Sequence, residues 1–453
     1  MTSSDISWSN HSMDYRPNND YSPAFGDGSY RYARRPKALQ QILQEIQECA
    51  DKPLAQSTTL PPEAYTSEAF YQWETENIFR NEWICLAHIS QISSPGDFLN
   101  VDLLGEPLIV VHGKDHEVRV LSRVCPHRAM DIMAPGFGYD GHGQASAKEG
   151  KAGGGQTRLF LCPYHAWTFE LDGCLKACPE MHLAENFERD AFMLKPFRSE
   201  IWNGFVFVNL EGDAPALHGR LKEVDGDFGE WKPAEMELII EREWDCPFNW
   251  KVLVENFMES YHHLGAHSKT LQPLMPARDT WNEQERETYI RCHLPIKESI
   301  LQEWRQIEAA GGHPYGFPAI KELAERKKRE TGLFLVYPCF LSFVLADRVI
   351  WYRVEPMGPH RMKLLTTVLV PKDTMLSPDF SKMLECETKM LIDFHLEDMH
   401  VCSAVQRGLY SSGYQRGRLS HLEMSVWLIQ RYLAARARGT WPTLDRPAAP
   451  SQR

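Results

Sequence analysis

The 453-residue sequence lacks any apolar run of transmembrane length, and its polar start, MTSSDISWSNHSMDYRPNND, lacks the basic and apolar regions of a secretory leader. A cytoplasmic protein with no membrane partner is expected. There is no basic excess either. Lys and Arg number 49 against 61 Asp and Glu, a formal net charge of −12 without a compensating basic stripe, which argues against nucleic-acid binding. Neither a Gly-x-Gly-x-x-Gly after a strand nor a P-loop is present, so the chain has no evident means of holding its own nicotinamide or flavin. Its 11 cysteines, odd in number and irregular in spacing, do not form the disulfide framework of a secreted protein. Some of them are therefore expected to bind metal.

What is present suits a globular chain of two domains, with 43% hydrophobic and 24% charged residues. Residues 1–35 are polar and read as an arm. Leu39, Ile42, Leu43 and Ile46 recur at helical spacing, Thr58 to Pro62 reads as a linker, and a helix is expected over 66–80. Short strands follow to about Leu210: WICLAHI, then PLIVVHG and VRVLSRV as a hairpin around KDHE, then LFLCPYHAWTFELDG and WNGFVFVNL. The Gly-rich stretch 136–156 interrupts them as a mobile loop. The second half changes character. A helix begins near Asn249, antiparallel strands run through GLFLVYPCFLSFVLADRVIWYRVEP and RMKLLTTVLVP, and Ser377-Pro378 opens a long helix towards Gln406. Ser420 with Glu423 forms a capping box for a last helix.

Cys125-Pro126-His127 and Cys162-Pro163-Tyr164-His165 each bring one thiolate and one imidazole onto a short loop. Two thiolates and two imidazoles suit a tetrahedral zinc or a [2Fe–2S] cluster with cysteines on one iron and histidines on the other. Zinc fingers usually pair Cys with Cys and His with His. The interleaving here favours the cluster, because each loop must reach both irons. For a single Cys or His a plain core residue would be the better reading; for the double motif it is not. The remaining cysteines, 49, 85, 174, 178, 246, 292, 339, 386 and 402, find no partner set and read as structural.

These motifs, CPHRA and CPYHAW, resemble those of the Rieske oxygenase α subunits, which usually carry Gly where this chain has Ala129 and Ala166. A second constellation, ENFMESYHHLGAH, extends the resemblance. Glu255, Glu259 and His262 fall at i, i+4 and i+7, one face of a helix, and His267 follows so that both imidazoles can meet one ion. Adjacent His263 points apart and reads as structural or substrate-facing. An iron that binds dioxygen uses two His and one carboxylate, leaving positions open. The resemblance supplies the carboxylate: an acidic pair, then Gln eight residues after its second member, then Gly-Leu, matched by Asp398, Gln406 and Gly408-Leu409. Glu397 is the competing ligand.

The resemblance covers roughly 65–430 and implies an α+β protein, a small all-β Rieske domain with a larger catalytic domain of antiparallel sheet and covering helices, helix-grip-like. The expected boundaries are arm and short helix 1–57, Rieske domain 58–215, catalytic domain 216–440 and tail 441–453. It implies a [2Fe–2S] cluster on Cys125, His127, Cys162 and His165, and a mononuclear Fe(II) on His262, His267 and Asp398. It also implies O2 as co-substrate, a separate flavin and NAD(P)H reductase with or without a ferredoxin, and a head-to-tail homotrimer. Glu259 occupies the position of a bridge between His262 and His165 of the partner subunit; Glu rather than Asp there resembles the carnitine- and choline-type oxygenases. Asn256 matches a residue near the iron. Phe257, Phe334, Tyr337, Phe340, Phe343, Trp351 and Tyr352 lie on elements able to wall a pocket for an aromatic ring or a quaternary ammonium, but taken singly each reads as core. Hydroxylation and oxidative demethylation both stay open, and the rival readings are an electron-transfer Rieske protein and a zinc-stabilised binding protein.

Overall fold

The computed structural model describes residues 35–133 and 153–440. Most of the Gly-rich stretch thus lies outside the described residues; its end, Gly154–Gln156, pairs as an edge strand with Asp97–Leu99.

The β-branched runs of the first half form one seven-stranded antiparallel sheet. Its order is Ile84–His88, Phe205–Asn209, Pro196–Trp202, Val118–Ser122, Glu106–His112, Asp97–Leu103 and Gly154–Gln156. The expected hairpin is there, with His112 opposite Val118 across the KDHE turn. A three-stranded sheet, Phe160–Leu161, Thr168–Phe169 and Leu175–Ala177, carries the second Cys-x-x-His loop between its first two strands.

The second half folds into another seven-stranded antiparallel sheet. Its order is Met236–Cys246, Arg361–Pro371, Val349–Gly358, Phe340–Val344, Glu330–Val336, Tyr289–Pro295 and Trp281–Asn282. Its inner strands are buried on both faces, which is why Glu330–Val336, Phe340–Val344 and Val349–Gly358 read as nearly continuous apolar runs. Trp244, Ile290, Leu335, Leu341, Ile350 and Tyr352 join a core with residues of the helices Trp250–Phe257, Phe380–Leu409 and Met424–Ala437. Alternate residues, Phe334, Phe340, Val344, Val349 and Trp351, face the other way and pack on Phe205, Phe207 and Trp202 of the first sheet. Phe205 lies 5.0 Å from Phe340 and 5.3 Å from Trp351, both edge-on, and each such fully buried ring contributes about 1.5–3 kcal/mol.

The early helices serve the second half. Ile42 and Ile46 of Leu39–Ala50, with Leu60, Phe70 and Phe79, share a core with Trp250 and Leu433. The segment expected as one helix over 66–80 is broken: Glu63–Thr66 and Glu68–Glu74 are separated by extended Ser67, whose hydroxyl caps Phe70 N–H, and a wider π-helical turn follows over Thr75–Phe79. Glu74 then meets the ammonium of Lys251 at 2.7 Å, both side chains wholly buried. The long helix begins at Phe380, not at Pro378. Ser377 gives its carbonyl, rather than its hydroxyl, to Phe380 N–H, and Pro378 and Asp379 make the entering turn. Ser420 and Glu423 form the expected reciprocal cap before the last helix. Among the described residues no helix is long and apolar enough to cross a membrane.

Candidate functional site

The two Cys/His loops fold alike. Ala129 N–H donates to Cys125 O and Ala166 N–H to Cys162 O, each at 3.0 Å, closing matching i to i+4 turns. Both turns force their alanine into the left-handed region, φ 56° for Ala129 and 59° for Ala166, where glycine is favoured. Cys125 and Cys162 are each 1% exposed, and the His127 and His165 rings meet edge-on at 4.6 Å. Trp167 stacks flat on His127 at 4.7 Å. Burial pushes the Cys125 thiol up to about 11. The Nδ1 atoms of both histidines are buried with no hydrogen-bond partner. Two buried thiols and two orphaned imidazole nitrogens, on loops whose histidine rings touch, are a donor set that suits a metal cluster. All eleven cysteines are free, and Cys174 is exposed.

The second group departs from the one-face helix expected of it. The helix ends at Phe257, and Met258 closes it. Glu259 then turns its carboxylate onto the segment ahead: Oε2 accepts His262 backbone N–H at 3.1 Å and Oε1 accepts from His262 Nδ1 at 2.8 Å. That cap starts a new short turn, Tyr261–Leu264, so Glu255 and His262 do not share a helical face. Glu255 is held instead by the Tyr65 hydroxyl, which donates to both its oxygens at 2.7 and 2.9 Å, and burial pushes it up to about 7.

The geometry brings His262, His267 and Asp398 together, with one ligand atom from each lying within 4.8 Å of the others. Asp398 Oδ1 is 2.9 Å from His267 Nε2 and 3.7 Å from His262 Nε2. Burial opposes a charge on His267, but Asp398 and Glu397 outweigh it and push the imidazole up to about 9. A bare cluster that must draw a proton onto its histidine is one whose charge suits a cation in that place. Glu397 lies on the other ring nitrogen, 2.6 Å from His267 Nδ1, where Thr270 Oγ1 also donates to it at 2.8 Å. His263 is buried, its Nδ1 3.3 Å from Met275 O, with its ring edge-on to both His262 and His267. Asn256 Oδ1 accepts from Cys402 Sγ at 3.6 Å, one helical turn beyond Asp398.

The strand register sorts the candidate pocket aromatics. Phe334, Phe340 and Trp351 lie on the face turned to the first sheet, away from these histidines. Tyr337 stacks on Tyr432 at 4.2 Å under the last helix. Phe257 and Tyr352 do lie on the helix-covered side, 5.0 Å apart. Two neighbours were not anticipated: Trp244, and His395 one turn before Asp398, whose rings lie 4.3 Å apart. Burial pushes His395 down to about 4, so it is neutral. Trp244 could have been found from alternation in MELIIEREWDC; His395 carried no signal of its own.

Comparison with known proteins agrees with this layout. The family model of the Rieske [2Fe–2S] domain matches residues 82–188, and that of the ring hydroxylating alpha subunit (catalytic domain) matches residues 233–439. A carnitine monooxygenase oxygenase subunit of Acinetobacter baumannii is 28% identical over 393 residues, covering 82% of this chain and 90% of that one. A glycine betaine monooxygenase oxygenase subunit of Chromohalobacter salexigens is 26% identical over 385 residues, covering 80% and 82%. In fold, the chain resembles the quaternary ammonium Rieske monooxygenase CntA in complex with L-carnitine (TM-score 0.68, 24% identity, 86% of this chain and 98% of that one). It also resembles the naphthalene 1,2-dioxygenase of a Rhodococcus species (TM-score 0.69, 17% identity, 89% and 99%). The two matched domains, in this order on one chain, make the protein a member of the Rieske non-haem iron oxygenases, a terminal oxygenase subunit with a Rieske [2Fe–2S] cluster and a mononuclear iron.

Proposed function

We propose that Cys125, His127, Cys162 and His165 hold the Rieske cluster, that His262, His267 and Asp398 hold the mononuclear iron, and that the substrate is a quaternary ammonium compound. The observation that carries the iron assignment is the convergence of two Nε2 atoms on Asp398 Oδ1, while the opposite ring nitrogens are occupied by Glu259 and Glu397. When bound, the cluster supplies single electrons and the iron supplies the positions at which dioxygen is activated.

The chain's own residues do the rest. Glu259 fixes the His262 tautomer by accepting at Nδ1, leaving Nε2 bare. Each Glu259 oxygen is used once by His262 and keeps a further lone pair. That spare capacity supports its role as a bridge to His165 of the partner subunit in a head-to-tail homotrimer. Tyr164, 50% exposed beside His165, and Tyr261 and Leu264, 45% and 54% exposed beside His262, are apolar surface suited to such a contact. A separate reductase, with or without a ferredoxin, brings electrons. The free thiols suit a reducing cytosol.

The substrate class rests on the relatives' names, which include carnitine, glycine betaine and choline monooxygenases, together with the rings beside the iron site. Phe257 and Tyr352 are the aromatic side chains on that side, and a π face turned to an alkylated ammonium attracts it by about 0.5–2 kcal/mol, whereas Trp244 already carries the Arg242 guanidinium over its ring. The test is coupled oxygen consumption by the holoenzyme with a surrogate reductase, over carnitine, glycine betaine, choline and a set of aromatic acids. Turnover of an onium compound supports the reading; turnover of aromatic acids alone overturns the substrate class. Glu259→Gln should keep both metal centres and lose most of its turnover, and wild-type turnover in it would remove the bridge.

A further inference from the structure

We infer that Glu397 is a positioning residue: braced by Thr270, it grips His267 at Nδ1, presents Nε2 beside Asp398, and ties the turn segment 262–275 to the long helix. The inference rests on the iron site proposed above.

His267 stands where secondary structure cannot hold it. Between the short turn Tyr261–Leu264 and Met275 the backbone runs through successive turns, and Leu264, Gly265, Ser268 and Lys269 are exposed. The His267 ring is nonetheless 1% exposed. Its fixed points are carboxylates 130 and 131 residues away in sequence, Glu397 on Nδ1 at 2.6 Å and Asp398 on Nε2 at 2.9 Å. Neighbouring residues on a helix point about a quarter-turn apart, so an adjacent acidic pair can reach round one imidazole and touch both of its nitrogens.

The two carboxylates cannot exchange roles. Glu397 Oε2 takes the Nδ1 contact and the Thr270 hydroxyl together, on the side of the ring away from Nε2. When a metal displaces the proton shared between Nε2 and Asp398, the anionic acceptor at Nδ1 holds the remaining ring proton there and Nε2 supplies the lone pair that the metal needs. Thr270 closes the arrangement, because its backbone N–H donates to His267 O at 3.2 Å. Loop backbone, Thr270, Glu397 and His267 thus form one hydrogen-bonded ring. Glu259 does the same for His262, but from only three residues away, so that grip is local, whereas the Glu397 grip is tertiary.

The test uses the holoenzyme, with the Rieske absorbance as an internal reference. After selective chelation of the mononuclear iron, Fe(II) is titrated back into wild type, Glu397→Gln, Glu397→Ala, Thr270→Val and Asp398→Ala, and hydrogen exchange of 262–275 is followed in each. Loss of the outer partner of a metal-bound histidine weakens affinity by about 10- to 100-fold, and that is the result expected for Glu397→Ala. Glu397→Gln and Thr270→Val should lose less, all three should exchange faster over 262–275, and the Rieske spectrum should stay unchanged. Wild-type affinity and exchange in all three variants overturn the inference. So does a loss of iron in Glu397→Gln as complete as in Asp398→Ala, which would make Glu397 a ligand. Undiminished iron binding by Asp398→Ala, by contrast, overturns the iron site itself.

Discussion

Replacing Ala129 and Ala166 by glycine should stabilise the Rieske loops. Each alanine sits at a left-handed φ, 56° and 59°, as the final residue of its i to i+4 turn, and both are exposed, so no packing is lost on removing the methyl. The left-handed conformation costs a non-glycine residue about 1–2 kcal/mol. Glycine gives back about 0.5–1 kcal/mol of that through its freer unfolded chain. The net gain is about 0.5–1 kcal/mol per site. Where loss of the cluster is irreversible, the readout is a rate, and a gain of that size lengthens the half-life of the visible Rieske absorbance at fixed temperature by about two- to five-fold per site. The double variant should exceed either single one. A half-life unchanged or shortened in both single variants would refute the reasoning, because it would mean that the methyls stabilise the loops by more than the strain they bring.

Lys251→Met should destabilise the fold by about 3–5 kcal/mol in denaturant unfolding, since it leaves the wholly buried Glu74 without the ammonium that Tyr65, Phe70 and Trp250 surround, and a Lys251→Met/Glu74→Leu double variant should recover most of the loss. Glu255 titrates at about 7 in the folded chain against 4.5 for an ordinary glutamate, so between these values the folded state binds more protons and stability falls as pH rises. Glu255→Gln keeps an acceptor for the Tyr65 hydroxyl and removes that slope. It should match wild type near pH 4 and exceed it by up to ~3 kcal/mol near pH 8, and an equal pH dependence in both proteins would contradict the assignment.

The parts of the site legible in the sequence were those written locally. Each Cys/His loop is complete within four residues; the left-handed backbone at Ala129 and Ala166 was not anticipated, although alanine in place of the family's glycine was the place to look for it. His262 and His267 were legible for the same reason. Asp398 was not: it lies more than a hundred residues on, and only resemblance pointed to it. Helical periodicity misled over Glu255, Glu259 and His262, because spacing cannot show that a carboxylate will cap the next turn and end the helix at Phe257. Which of the aromatics lie on the side of the histidines was hidden for a related reason. Trp351 and Tyr352 are neighbours in sequence, and strand alternation sends one to each side of the sheet; which side faces His262, His267 and Asp398 is set by packing of Phe205 and the long helix, not by local composition. The role of Glu397 was hidden because it depends on which ring nitrogen of a distant histidine it meets.

The most direct test of two separate iron centres on one chain is metal and sulfide analysis of the reconstituted protein, with electron paramagnetic resonance of its dithionite-reduced form. Wild type should carry about three irons for two acid-labile sulfides and show a reduced Rieske signal, while Asp398→Ala should fall to about two irons with that signal unchanged. A folded, colourless protein containing zinc, or an Asp398→Ala variant that keeps its full iron content, would contradict the account.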